Sequence, residues 1–89
     1  MAIEFTESAG KHGFALTDAL RAMSDPEIYV PRFDAARVQG RPDTAAWIGR
    51  SRSGTRIEVF GFLVPPRTVV VFHCMEARPK TLRRIEEQS

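Results

Sequence analysis

The sequence predicts an α+β domain in which short helices pack on one face of a largely antiparallel β-sheet, and three observations carry that expectation. Residues 69–75 are dominated by β-branched and apolar side chains. Residues 55–63 alternate on a period of two. Two segments near the ends of the chain carry apolar pairs at i and i+3, the spacing of a short amphipathic helix. The 89 residues allow one domain, spanning 1–89, with a modest core.

Taken in order, residues 2–5 read as a strand with Ile3 and Phe5 on one face. A helical turn through Ser8 and Ala9 stops at Lys11-His12-Gly13, where Gly13 supplies a positive φ. Thr17 then caps a short helix with Leu20 and Met23 as its packing stripe, ended by Asp25-Pro26. Residues 28–30 form a weak strand or extended connection, and residues 31–42 are polar, Arg-rich and without a period, as in a surface loop.

Residues 45–48 read as a strand and residues 51–54 as a hairpin turn. The strand at 55–63 sets Ile57, Val59 and Leu63 on one face and Arg56, Glu58, Phe60 and Phe62 on the other. Pro65-Pro66 turns the chain. On a period of two, Val69, Val71, His73 and Met75 point one way, and Val70, Phe72 and Cys74 the other. After Pro79, residues 81–88 form a helix that packs through Leu82 and Ile85. No repeat, low-complexity tract or second domain is evident.

Composition bounds the function. The formal net charge is +2, with five bases against seven acids over residues 1–49 and eight against four over residues 50–89. A basic partner surface, if one exists, belongs to the C-terminal half, and its arginines suit bidentate phosphate recognition or reflect the codon bias of a GC-rich genome. No apolar run approaches the roughly 20 residues that span a bilayer. The single Cys74 and the absence of a signal-peptide pattern predict a reducing, cytoplasmic compartment. Gly-rich phosphate loops, Cys/His metal sets and nucleophile elbows are missing, so no metal and no cofactor is expected.

The densest polar run is His73-Cys74-Met75-Glu76-Ala77-Arg78-Pro79-Lys80. It carries an imidazole on a strand and two cations where the chain surfaces. Cleavage of RNA by its own 2′-hydroxyl needs a base, an acid and cations for the charge that builds on phosphate, and His73, Arg78 and Lys80 are residues of those types. Against this, a histidine among Val69, Val71 and Met75 is equally a packed core residue, and Arg78 and Lys80 are equally solvated charges at a helix start. Glu58 is either a general base or, as we favour here, half of an ion pair on its sheet face. His12 is either a second acid or base or a partner of helix-end carbonyls. Trp47, Phe60 and Phe62 are read as core rather than as base-stacking rings. Cys74, pointing away from His73, makes no nucleophilic pair with it.

Three segments in order, Lys11-His12-Gly13, Ile48-Gly49-Arg50-Ser51-Arg52-Ser53-Gly54 with Arg56-Ile57-Glu58-Val59, and His73 through Lys80, resemble the BrnT-like toxins of bacterial type II toxin–antitoxin systems. The resemblance spans nearly the whole chain. It implies a RelE-like fold, endoribonuclease activity on mRNA, either free or ribosome-bound, and a cognate small DNA-binding antitoxin as partner. It also implies phosphate contacts for Arg50, Arg78 and Lys80 and matches His73 to a strand histidine of the family. The chain departs from the family in a shorter segment before Lys11 and in Pro79, where many relatives have a second arginine.

The expectation is therefore a cytoplasmic endoribonuclease with catalytic residues drawn from His73, Arg78, Lys80, His12 and Glu58, and RNA-binding residues Arg50, Arg52 and Arg56. The competing expectations are a non-catalytic RNA- or protein-binding module on the same scaffold, and a homodimer that buries His73.

Overall fold

The computed structural model describes residues 1–36 and 39–88. Five strands, β1 (Ala2–Phe5), β2 (Ile28–Asp34), β3 (Thr44–Arg50), β4 (Arg56–Val64) and β5 (Thr68–Glu76), form one sheet in the order β1-β5-β4-β3-β2. β2 through β5 pair antiparallel, while β1 runs parallel to β5 at one edge. Helices α1 (Glu7–Gly10) and α2 (Leu16–Ser24) connect β1 to β2, and α3 (Pro79–Gln88) follows β5. The α+β class and the single mixed sheet accord with the sequence pattern.

The helices divide between the two faces of the sheet, which corrects the expectation of a single covered face. Ala9, Ala19 and Ala22 from α1 and α2 pack with Ile57, Val59, Val69, Val71 and Cys74 on one side. Ile85 of α3 packs with Phe33, Ala46 and Ile48 on the other, with Leu82 and Phe60 beside them. A single short helix cannot cover five strands, and β3, with alternate residues buried on both sides, needs a helix on each face.

Local chemistry explains where the elements begin. α2 starts at Leu16 rather than after Thr17, because the Asp18 carboxylate reaches back to accept the Ala15 N–H at 2.9 Å. Its buried stripe is Asp18, Ala19 and Ala22, and Leu20 remains exposed. Small residues face the sheet because the helix lies very close to it: a Cβ on Gly49 would sit 2.8 Å from the Ala22 backbone. β2 continues through Pro31 to Asp34, into the stretch expected to be a loop. It is an edge strand, where a missing N–H is tolerated, and Phe33 anchors it by burial. Arg37 and Val38, within that expected loop, lie outside the described residues.

β5 departs from a period of two. Phe60 pairs with His73, but Gly61 pairs with Val71, so Phe72 is an extra residue against β4. Val69 and Val71 accordingly join Cys74 in the α1/α2 core, while Phe72 lies against Phe62 and His73 against Phe60. The bulge turns His73 away from Val69 and Val71, reversing the face assigned by simple alternation. Gly61 permits it, since a Cβ there would stand 2.7 Å from the Val70 carbonyl oxygen.

A Gly61→Ala variant is therefore expected to lose about 1–3 kcal/mol of stability through overpacking. Gly10→Ala places its new methyl 3.6 Å from Phe5, an ordinary contact, and loses none. Urea unfolding of both variants beside the wild type checks the difference.

Candidate active site

The α3 face of the sheet carries a buried carboxylate. Glu58 lies mid-strand in β4, fully buried, and alternation directs it towards the start of α3. A charge placed there needs partners, and the chain supplies four kinds. His73 Nε2 lies 2.8 Å from Oε2 across the β4–β5 pair. Arg78 donates Nε at 3.0 Å and Nη2 at 2.6 Å to the same oxygen. The Arg78 backbone N–H donates to Oε1 at 2.8 Å, and the Thr81 hydroxyl bonds to the carboxylate as well.

Burial alone would raise the pKa of Glu58. The hydrogen bonds from His73, Arg78 and Thr81 outweigh it and bring the pKa down to about 2, so the carboxylate is ionised at neutral pH. Glu58 also accepts from the N–H of Arg78, the residue just before α3, and from the Thr81 side chain in its first turn, with Pro79 at the first helical position where no N–H is missed.

This carboxylate fixes the state of His73. An ionised carboxylate only accepts, so Nε2 must carry the proton and the neutral ring keeps its lone pair on Nδ1. No buried side-chain nitrogen or oxygen among the described residues lacks a partner, and Nε2 makes the hydrogen bond of this ring, so Nδ1 is not fully sealed from solvent. Phe60 stacks on the imidazole at 4.4 Å and 15°, which holds the ring plane.

His12 completes the cluster. β1 ends at Phe5, and the Thr6 N–H still bonds to the Val71 oxygen at 3.0 Å. α1 and the turn after it therefore run beside the unpaired part of β5. That route brings the exposed His12 ring to 6.0 Å from His73, edge to face. On the far side, Phe33, Phe60, Arg78, Lys80, Thr81 and Arg84 line a shallow cleft of about 300 Å³. Arg84 lies 4.3 Å over the Phe33 ring and bonds to Asp34, while Lys80 is exposed.

Of the residues singled out in the sequence, the structure gathers His12, Glu58, His73 and Arg78 and sets Lys80 beside them. Glu58, its carboxylate fully enclosed, is a positioning residue and not a base that reaches a substrate; its ion-pair partner is Arg78 rather than Arg56. Arg50, Arg52 and Arg56 are elsewhere. Arg50 and Arg56 share Glu27, and Arg52 is tied to Asp18 of α2. Cys74 is buried on the opposite face, where burial and the Asp18 charge push its thiol up to about 11. Thr81 escaped sequence reasoning, although a threonine three residues after Arg78 in a helix's first turn is a signal for such a contact.

The cluster offers an oriented imidazole, a second, exposed imidazole in edge contact with it, and two cations. Those are the parts of acid–base chemistry on an anionic centre. Comparison with protein-family models, curated proteins and solved structures finds no match.

A depressed carboxylate pKa stabilises the fold above its unfolded value and ceases to do so as pH falls through the folded one. The Glu58 contribution is thus complete above pH 4.5 and fades between 4.5 and about 2. Glu58→Gln is expected to cost about 3 kcal/mol at neutral pH by breaking a buried pair. The stability gap between wild type and variant should narrow over that acid window, as urea titrations at a series of pH values would record.

Proposed function

We propose that the protein is an endoribonuclease of the toxin type, cleaving RNA by attack of a 2′-hydroxyl on the adjacent phosphate. The observation that carries this reading is His73, oriented by a buried ionised carboxylate, with the exposed His12 ring 6.0 Å from it. In the reaction one imidazole takes the 2′-hydroxyl proton as the 2′-oxygen–phosphorus bond forms. The other gives a proton to the 5′-oxygen as its bond to phosphorus breaks, leaving a 2′,3′-cyclic phosphate and a 5′-hydroxyl.

Arg78 and Lys80 offset the charge that develops on the phosphoryl oxygens. Arg78 spends Nε and Nη2 on Glu58, which leaves Nη1 for substrate and fixes the direction of the fork. The family resemblance of Lys11-His12-Gly13 and of the His73–Lys80 run supports the same assignment and implies a small DNA-binding antitoxin as partner. Arg50, Arg52 and Arg56 contact Glu27 and Asp18 through Nε and stand apart from this cluster, where they would meet RNA only beyond the reacting phosphate.

Induced expression in bacteria is expected to arrest growth and fragment mRNA, with cyclic phosphate ends on the fragments. His12→Ala and His73→Gln should each lower cleavage by about 100-fold or more. His12→Ala should do so with an unchanged unfolding midpoint, since that ring is exposed and makes no hydrogen bond among the described residues. Undiminished cleavage in the double variant overturns the assignment. A harmless wild type that nevertheless binds RNA would make the protein a binding module on this scaffold.

A further inference from the structure

The α3 face is only half covered. α3 lies over Phe33, Ala46 and Ile48, whereas no helix among the described residues covers the β4–β5 half beyond Phe60. Two phenylalanines occupy that open half. Phe62 and Phe72 stand with ring centroids 5.9 Å apart, both half-buried, and form the floor of a cleft of about 570 Å³ walled by Arg41, Pro42 and Thr44. The bulge is responsible for their position. By placing consecutive residues of β5 on one face, it sets Phe72 beside His73, and Phe62 lies one two-residue step, about 7 Å, from Phe60 along β4.

We propose that Phe62 and Phe72 are a base-stacking subsite, so that the substrate is single-stranded RNA bound across this face, with one nucleobase on the two rings and its neighbouring phosphate at His73, Arg78 and Lys80. The inference rests on the ribonuclease reading above and adds to it the form of the substrate. Stacking needs an unpaired base, which excludes duplex RNA from this cleft.

Charge favours a polynucleotide over an apolar partner. Arg41 walls this cleft and Lys80 lines the neighbouring one, and neither has an ion-pair partner among the described residues, whereas the acids beside Thr44, Asp34 and Asp43, are matched by Arg84 and Arg32. The charge of Glu58 is already matched by Arg78. Glu4, on β1 opposite Val70, lies to the side of this path. The two rings supply the sequence-tolerant contact and the cations the phosphate contact, the combination that single strands require.

The test is binding of a fluorescein-labelled deoxyribo-oligonucleotide, which lacks the 2′-hydroxyl and so cannot be cleaved, beside one of equal length built of abasic sites. Phe62→Leu/Phe72→Leu keeps apolar bulk and removes the π faces. This variant is expected to bind the base-containing strand about 5- to 50-fold more weakly and the abasic strand as the wild type does. Lys80→Ala should weaken both and reduce the salt dependence. Equal losses on both strands, or no loss on either, overturn the subsite while leaving the ribonuclease reading in place. Failure of the wild type to bind either strand overturns the subsite, and the ribonuclease reading then stands or falls on the mRNA fragmentation assay alone. Loss of self-association in the leucine variant, with no change in oligonucleotide binding, would reassign the face to a protein contact and overturn the subsite.

Discussion

Glu58 places a formal negative charge inside a small domain, and much of the α3 face is arranged to accommodate it. An uncompensated carboxylate there would cost several kcal/mol or take up a proton. Instead it accepts from the His73 ring, from the Arg78 side chain and backbone, and from Thr81. Each donor comes from a different structural need. His73 is held on the sheet, Arg78 closes the connection out of β5, and Thr81 lies in the first turn of α3. One ion thereby fixes the tautomer of an imidazole, the direction of a guanidinium and the start of a helix.

The second constraint is steric. Gly61 lets the Val70 carbonyl approach, and the resulting bulge moves the end of β5 by one register step. Without it, His73 would face the α1/α2 core and Cys74 the Glu58 side. With it, Cys74 is sealed in apolar surroundings and His73 meets Glu58, Phe60 and His12. Packing supports the electrostatics, since α3 lies where Leu82 and Ile85 meet Phe33, Ala46, Ile48 and Phe60. The basic residues of the hairpin region serve a different purpose, holding Glu27 and Asp18 and so tying α2 and the start of β2 to the β3–β4 turn.

Much of the local structure was legible in the sequence because it depends on near neighbours. The alternation of 55–63, the small residues of 51–54 and a helix following the strand each state a local preference that the fold respects, although α3 begins at Pro79, two residues before the expected start. What depends on distant partners was not legible. Glu58 finds His73 and Arg78, 15 and 20 positions away, where its own strand offered Arg56 as the obvious mate. Alternation placed His73 on the wrong face because one extra residue breaks the period, and the available hint was a glycine inside a strand. The residues of α2 that touch the sheet are its alanines, since contact with Gly49 rewards closeness over bulk. Nor does an amphipathic helix declare which face of a sheet it will cover, so the division of α1 and α2 from α3 emerges only from the assembled core.

The central claim is that a buried, ionised Glu58 sets the protonation geometry of His73. Nitrogen-15 spectra of the imidazole rings, taken at a pH where His73 is neutral, read that geometry directly. The account predicts a proton on Nε2, engaged in a hydrogen bond, and a lone pair on Nδ1, with the preference weakened in Glu58→Gln. A wild-type His73 protonated at Nδ1, or one with the same tautomer balance in wild type and variant, would contradict it.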